Sequence, residues 1–132
     1  MNVFENTFAL AASGMDAQTS RLRTVGENIA NADTPGYRRK LVTFQAAYAP
    51  MASDDPQTVE KGATLLSDAP FDETYDPNHP LADEQGVVQG SNVSLMTELA
   101  DASEAGRTYE ANLNMFQQAR RMYASMLDLI RR

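Results

Sequence analysis

Apolar residues recur at alternating spacings of four and three at both ends of the chain, and no other feature constrains its fold as strongly. The first series runs from Phe4 to Ile29 and the second from Leu95 to Ile130. A repeat of about 3.5 residues places these side chains on one stripe of a long helix, and other helices must cover such a stripe. The sequence therefore predicts a mainly α fold in which two long helices pair as a coiled coil.

Each stripe has one polar member, and the second stripe also contains a glycine. Glycine within a helix is unfavourable by about 1 kcal/mol relative to alanine, so Gly106 predicts the close approach of a neighbouring helix. The first stripe consists of Phe4, Phe8, Ala11, Met15, Gln18, Leu22, Val25 and Ile29. The second consists of Leu95, Leu99, Ala102, Gly106, Tyr109, Leu113, Phe116, Arg120, Tyr123, Leu127 and Ile130.

The ends of both helices carry recognisable signals. The first helix is predicted over about residues 4–31 and ends where Asn31 can take up a left-handed conformation and Gly36 supplies a turn. The second helix is predicted to begin near Asn92 or Ser94, either of which can cap it, and to extend almost to the C-terminus.

The segment between the helices is rich in turn residues. Residues 37–48 are expected to be extended, and five of the six prolines of the chain follow. Short β-favouring pieces at 58–59 and 86–88 lie between turns. We predict three parts, namely a helical arm over residues 1–36, a small β-rich or irregular middle unit over residues 37–91 and a second helical arm over residues 92–132.

Composition argues against several kinds of function. The chain has 132 residues, no cysteine and one histidine, so disulfides and multi-histidine zinc sites are excluded. Its net charge is −7, and residues 46–94 hold nine acidic groups and one lysine, a charge of −8, so a nucleic-acid partner is not expected. No apolar run is long enough for membrane insertion. Without a paired acid and base, we expect no enzymatic activity, no cofactor and no small-molecule substrate.

One acidic cluster in the middle unit resembles a cation site only superficially. Asp72, Glu73, Asp76 and His79 lie close together in sequence, but prolines interrupt the run and the glycine of a calcium-binding loop is absent. We therefore expect solvated loop acids with no metal, and we expect His79 to bond to the backbone of a turn.

Three motifs follow one another along the chain. The first motif, Asn28 to Tyr37, reads Asn-x-Ala-Asn-x-x-Thr-Pro-Gly-Tyr. The second motif spans residues 75–88 and reads Tyr-Asp-Pro-Asn-His-Pro-Leu-Ala-Asp-Glu-Gln-Gly-Val-Val. The third motif spans residues 98–112 and ends in Ala-Gly-Arg-Thr-Tyr-Glu-Ala-Asn. Together they resemble the bacterial flagellar rod and hook proteins, and the second and third are most similar to those of the proximal rod. Val87 stands where that pattern has an aromatic residue, and Ser91 where it often has proline.

The resemblance implies a structural subunit of the flagellar basal-body rod that assembles by helix packing and transmits motor torque. The implied partners are copies of the chain itself, other rod proteins and the flagellar export apparatus. Its implied place is the rod within the periplasmic space, reached without a cleaved signal peptide. The residues expected to carry assembly are Leu22, Asn28, Ala30, Asn31, Thr34, Gly36, Tyr37, Arg107, Tyr109, Asn112, Leu113 and Phe116.

Three cations follow the first motif. We expect Arg38, Arg39 and Lys40 to pair with acids of the middle unit and to matter less than the direction of the backbone at Gly36. Two alternative functions stay open on the sequence alone. One is another axial protein of the rod or hook, and the other is a two-helix adaptor or chaperone unrelated to flagella.

Overall fold

Two long helices frame four short strands. The structure is a computed structural model that describes residues 3–47 and 58–131. In chain order the elements are α1 (Val3–Ala30), β1 (Lys40–Ala46), β2 (Val59–Leu66), β3 (Glu73–Tyr75), β4 (Val87–Gln89) and α2 (Leu95–Ile130). The predicted mainly α fold is confirmed, with a long helix at each end and a small strand-containing unit between them.

The two helices pack against each other in antiparallel orientation. Phe4 lies edge-on to Tyr123 with ring centroids 5.5 Å apart, and Phe8 contacts Phe116 at 5.0 Å. At the other end of the pair, Asn28 of α1 is hydrogen-bonded to Glu98 of α2. We call the line along which the helices face each other the seam.

The seam departs from the predicted stripes toward the Asn28 end. Leu22 and Leu99 are 36% and 59% exposed, and Ile29 and Leu95 are also exposed. The buried helix-facing positions include Asn28, Glu98 and Ala105. The prediction that these four apolar residues face the partner helix is wrong for the single chain, because polar side chains that bind the middle unit occupy the seam there.

The far end of α2 extends beyond the described part of α1. At 1.5 Å per residue, α2 is longer than α1 by about 12 Å. Leu127 and Ile130, which the second stripe includes, are consequently exposed. No helix in the described part of the chain is both long and apolar enough to cross a membrane.

The close helix approach occurs at a different glycine from the one predicted. A Cβ added at Gly106 has no neighbour within 4 Å, whereas one added at Gly14 lies 2.7 Å from Nδ2 of Asn112. Gly14 therefore lets the Asn112 amide pack against the backbone of α1, and the close approach expected at Gly106 is not found among the described residues.

A hairpin covers one side of the helix pair. Strands β1 and β2 pair antiparallel from Lys40 opposite Leu66 to Ala46 opposite Val59, with an irregularity between Val42 and Phe44. The Val59 N–H donates to Ser13 Oγ of α1 at 3.1 Å. The predicted extended segment after residue 37 is thus β1, and the β-favouring piece at 58–59 begins a longer strand.

A second strand pair follows the hairpin in the chain and precedes α2. β3 pairs antiparallel with β4, with Thr74 opposite Val88. The sequence indicated β4 but not β3, whose three residues are all exposed. Backbone bonds from Asp72 N–H to Ser91 C=O and from Gly90 N–H to Asp72 C=O connect this pair to the start of α2.

Candidate assembly junction

The amide of Asn28 joins four parts of the fold. Asn28 is 1% exposed. Its Nδ2 donates to the Lys40 carbonyl at 2.9 Å and to Glu98 Oε2 at 3.1 Å. Its Oδ1 accepts from the Lys40 N–H at 2.9 Å and from the Tyr37 hydroxyl at 3.0 Å. All hydrogen-bonding positions of the amide are filled, and the backbone of Lys40 fixes which end is oxygen.

An ion network surrounds this amide on the α2 side. Glu98 is fully buried, and its Oε1 accepts from Nε of Arg39. The same guanidinium binds Asp101, which also accepts from Arg21 at 3.2 Å. A buried carboxylate is costly unless it is paired and hydrogen-bonded, so Arg39 and Asn28 together make the burial of Glu98 tolerable.

A second amide fastens the hairpin to the start of α2. Asn92 Oδ1 accepts from the Arg39 N–H, and its Nδ2 donates to the carbonyls of Ser67 and Ala69 at 3.1 and 3.0 Å. Asn92 therefore holds strand ends and does not cap the helix. Ser94 occupies the N-cap position without a side-chain cap bond, so neither predicted capping bond is present. We call Asn28, Arg39, Lys40, Asn92 and Glu98 the junction.

The predicted helix stop directs the chain into this junction. Asn31 Nδ2 donates to the Glu27 carbonyl at 2.9 Å, and the Thr34 hydroxyl donates to Asn31 Oδ1 at 3.2 Å. Gly36 has φ of +74°, and its N–H donates to the Gly90 carbonyl at 3.0 Å. Among the described residues only glycines have positive φ, so the left-handed conformation expected at Asn31 is wrong. Backbone bonds from Asn31 and Ala32 to the last helical carbonyls end α1 instead.

We expect Gly36→Val to destabilise the chain by about 1–2 kcal/mol, the cost of a left-handed conformation in a residue with a Cβ. The space around a Cβ at Gly36 is open, so the cost comes from the backbone alone. Urea unfolding followed by circular dichroism measures it. Ala32→Ser is the control and should change the stability little; equal losses in the two variants would contradict this role of Gly36.

Tyr37 gives the junction a dependence on alkaline pH. Partial burial raises the pKa of Tyr37 above its ordinary value of 10.0, and its hydroxyl donates to the buried amide of Asn28. Above pH 10 the hydroxyl of Tyr37 is therefore still protonated in the folded chain when it has begun to lose its proton in the unfolded chain. The contribution of Tyr37 to the free energy of unfolding is complete below pH 10 and is lost as the pH rises through the pKa of the folded chain.

We therefore expect the free energy of unfolding to decline above pH 10 and to decline less steeply in Tyr37→Phe. Urea titrations at several alkaline pH values measure the slope. Tyr75 is exposed, so Tyr75→Phe should keep the slope of the parent chain, and an unchanged slope in Tyr37→Phe would refute the assignment.

Among residues 3–47 and 58–131, the ion pairs of the three cations after the motif join Arg39 and Lys40 to acids of the two helices, and not to acids of the middle unit as expected. Arg39 pairs with Glu98 and Asp101 of α2, and Lys40 pairs with Glu27 of α1 at 2.9 Å. Hydrogen bonding to Lys40 lowers the pKa of Glu27, and the same bond raises the pKa of Lys40. Arg38 stacks on the Phe71 ring at 4.6 Å. Because Arg39 binds the buried carboxylate of Glu98, we now expect the loss of its charge to cost more stability than the change of backbone at Gly36, the opposite of the ranking based on sequence.

The structure separates the predicted assembly residues into three groups. The seam holds Asn112 against Gly14 and Phe116 against Phe8, with Tyr109 and Leu113 half-buried beside them. Leu22, Ala30 and Arg107 point outward and are exposed. The junction and its turn contain Asn28, Asn31, Thr34, Gly36 and Tyr37.

Sequence reasoning missed the members of the junction outside the first motif. The sequence predicts other roles for Arg39, Lys40 and Asn92 and no contact between Glu98 and the first helix. One available signal is the position of Glu98 next to the stripe residue Leu99. An acidic residue beside an apolar stripe can face the partner helix if a cation forms an ion pair with it, as Arg39 does here.

His79 has the role expected of it. Its Nδ1 accepts from the Leu81 N–H at 3.1 Å within a turn. No group of three His, Asp or Glu side chains within residues 3–47 and 58–131 is arranged to hold a metal ion.

Two family models match the chain. The model for the flagella basal body rod protein matches residues 8–38, and the model for the C-terminal region of the flagellar basal body rod FlgEFG protein matches residues 84–129. The first match contains Asn28 and Tyr37, and the second contains Asn92 and Glu98. Three of the five junction residues thus lie in segments that the rod-protein models describe, whereas Arg39 and Lys40 directly follow the first segment.

Curated relatives extend over nearly the whole chain. The flagellar basal-body rod protein FlgC of Agrobacterium fabrum is 43% identical over 129 residues, covering 92% of this chain and 91% of the relative. FlgC of Escherichia coli O6:H1 is 35% identical, covering 94% and 96%, and FlgC of Aquifex aeolicus is 34% identical, covering 93% of each. These similarities favour one type of rod protein over the other axial proteins that the C-terminal model describes.

Proposed function

The chain belongs to the FlgC family of flagellar basal-body rod proteins, and we propose that its junction makes the paired helices one rigid building block of the proximal rod. It is a structural subunit of the flagellar basal body and serves motility. The observation that carries the proposal is the fully bonded amide of Asn28 against the buried carboxylate of Glu98. This pair ties α1, β1 and α2 together at one point.

A rod that transmits torque must resist shear between its helices. Apolar side chains along the seam resist separation but are not directional, whereas the Asn28 and Glu98 bonds fix the register of the two helices and the position of the hairpin. Removing a partner from such a buried network costs several kcal/mol. Torque applied to one helix is therefore passed to the other and to the middle unit without slippage.

The partners follow from what the helix pair leaves uncovered. Leu22, Leu95, Leu99 and Met122 are exposed although they are apolar, and large exposed apolar surfaces mark sites of association. We assign these surfaces to helices of neighbouring copies and of other rod proteins. The flagellar export apparatus is the proposed route to the periplasmic part of the rod, without a cleaved signal peptide.

A deletion strain with complementation tests this function. We expect cells without the gene not to swim, cells with the intact gene to swim, and a tagged chain to be found in isolated basal bodies within the rod. Normal swimming after deletion, or a tagged chain that is absent from purified basal bodies, would contradict the proposal.

A further inference from the structure

The imidazole of His79 holds a turn in the loop between β3 and β4. Its Nδ1 accepts from the Leu81 N–H at 3.1 Å. Because an N–H group donates only to a nitrogen with a free lone pair, the proton of the neutral ring is on Nε2 and Nδ1 has none. Two backbone bonds complete the turn, from the His79 N–H to the Asp76 carbonyl at 3.1 Å and from the Ala82 N–H to the His79 carbonyl at 3.0 Å.

Protonation of His79 is incompatible with its bond to Leu81. Histidine is the side chain that ordinarily changes its charge between pH 5 and pH 8, and both ring nitrogens of an imidazolium carry hydrogen. A proton taken from water onto Nδ1 therefore turns the acceptor of the Leu81 N–H into a donor. The two backbone bonds of the turn contain no titratable group, so the direct loss is confined to the Leu81 N–H.

Carboxyl groups line the cavity beside the imidazole. This cavity has a volume of about 330 Å³, and His79 shares its lining with Asp33, Asp72 and Asp76. Asp33 lies just beyond α1, Asp72 precedes β3 and Asp76 follows it. No lysine or arginine is among the described residues that line the cavity. A negative charge favours the imidazolium, whereas the bond from Leu81 favours the neutral ring, so the ring has acceptors or a donor for each of its charge states.

The residue that His79 holds lies near the turn at the end of α1. Leu81 lines a second cavity, of about 440 Å³, together with Pro35 and Gly36. Pro35 lines both cavities. Leu81 is 64% exposed, so burial alone does not keep it beside this turn. The loop therefore meets the turn at two places, His79 on the side of Asp33 and Leu81 on the side of Gly36.

We propose that His79 makes the contact between this loop and the turn at Gly36 sensitive to pH. The neutral imidazole holds the Leu81 N–H and keeps Leu81 beside Pro35. The protonated ring releases this N–H, and the carboxylates of its cavity supply acceptors for both ring N–H groups. The inference goes beyond the proposed function and does not depend on it. The described bonds of the junction involve neither His79 nor Leu81, so the junction should stay intact when the ring is protonated.

NMR of the full chain between pH 8 and pH 5 tests this proposal, because His79 is the only histidine of the sequence. The ring nitrogen shifts at pH 8 should show an unprotonated Nδ1. As the ring takes up its proton, the protection factor of the Leu81 amide in hydrogen exchange should fall several-fold, to at most about tenfold, the effect of losing one hydrogen bond of ordinary strength. The fall should have the same midpoint as the titration of the ring.

The Gln85 amide is an internal control in the same loop. Its N–H donates to Oδ1 of Asp83 at 2.9 Å with the same spacing of two residues, and carboxyl groups ordinarily stay ionised over this pH range. The protection factor of the Gln85 amide should therefore stay constant. Constant protection of Leu81 while the ring titrates would overturn the proposal. An equal loss at Leu81 and Gln85 would overturn it too, because the whole loop would then be opening.

Two variants separate the acceptor from its charge. His79→Asn keeps a side-chain oxygen that can accept an N–H two residues further along and does not titrate, so the Leu81 amide should be equally protected at pH 5 and pH 8. His79→Ala has no acceptor, so this amide should have the lower protection at both pH values. A Leu81 amide that still responds to pH in His79→Asn, or that keeps full protection in His79→Ala, would rule out His79 as the group responsible.

The position of the Leu81 side chain gives a second readout. Nuclear Overhauser effects between the methyl groups of Leu81 and the ring of Pro35 should be stronger at pH 8 than at pH 5 in the parent chain. In His79→Asn they should have the same intensity at both pH values. Equal intensities at both pH values in the parent chain would overturn the link between the loop and the turn.

Discussion

Arg39→Met should lower the free energy of unfolding by about 3–5 kcal/mol, the usual cost of removing one partner of a buried ion pair. Glu98 is fully buried and binds Nε of Arg39, so the variant leaves a carboxylate without a cation inside the fold. The methionine keeps most of the side-chain volume, and the loss therefore reports on charge and hydrogen bonding and not on a cavity. Urea unfolding at pH 7 measures it as a lower midpoint with an unchanged slope.

Arg38→Met is the matched control for this prediction. Arg38 is exposed, stacks on Phe71 and donates to the Ser67 carbonyl at 3.1 Å, so its loss should cost about 1 kcal/mol or less. The double variant Arg39→Met, Glu98→Met should recover stability relative to Arg39→Met, since two apolar side chains replace the pair. Equal losses for Arg38→Met and Arg39→Met would disprove the importance of the buried pair.

Asn28→Asp should destabilise the chain by about 3 kcal/mol and abolish swimming, although the side chain keeps its shape. The new oxygen replaces Nδ2, which donates to the Lys40 carbonyl and, at 3.1 Å, to Glu98 Oε2. Two acceptors then lose their donor, and two carboxyl groups meet in a buried site. Thermal unfolding of the purified chain and a soft-agar swimming assay measure the two effects.

Asn31→Asp makes the same chemical change three residues away. Asn31 directly follows α1 and is half-buried, and its Nδ2 donates to one backbone carbonyl, that of Glu27. Stability and swimming should stay close to those of the parent chain. Loss of swimming in Asn31→Asp with normal swimming in Asn28→Asp would mean that the turn, and not the buried amide, carries assembly.

Local signals in the sequence were sufficient to predict the architecture. The apolar stripes predicted both helices, and Gly36 marked the turn into β1, because these features depend on neighbours along the chain. The aromatic contacts Phe4–Tyr123 and Phe8–Phe116 involve residues of the predicted stripes. The functional class came from the order of the three motifs, which the similarity to FlgC proteins bears out.

The parts that sequence did not predict depend on contacts between distant segments. Arg39 and Glu98 lie 59 positions apart, and no local pattern shows that they meet. Periodicity also assigned Leu22 and Leu99 to the helix-facing stripe, but the network of Asn28 and Glu98 occupies the seam and rotates both leucines outward. Apolar periodicity identifies the side chains that need cover without showing whether the same chain or another subunit covers them.

An electron-microscopy reconstruction of the isolated basal body tests the central claim most directly, namely that this chain enters the rod as a helix pair fixed at its junction. The account predicts that in the rod wall α1 and α2 run antiparallel within one subunit, with Asn28 against Glu98 and the hairpin on the side that holds Val59 near Ser13. A rod in which the two helices of one subunit are apart, with Glu98 facing another protein or solvent, would contradict it.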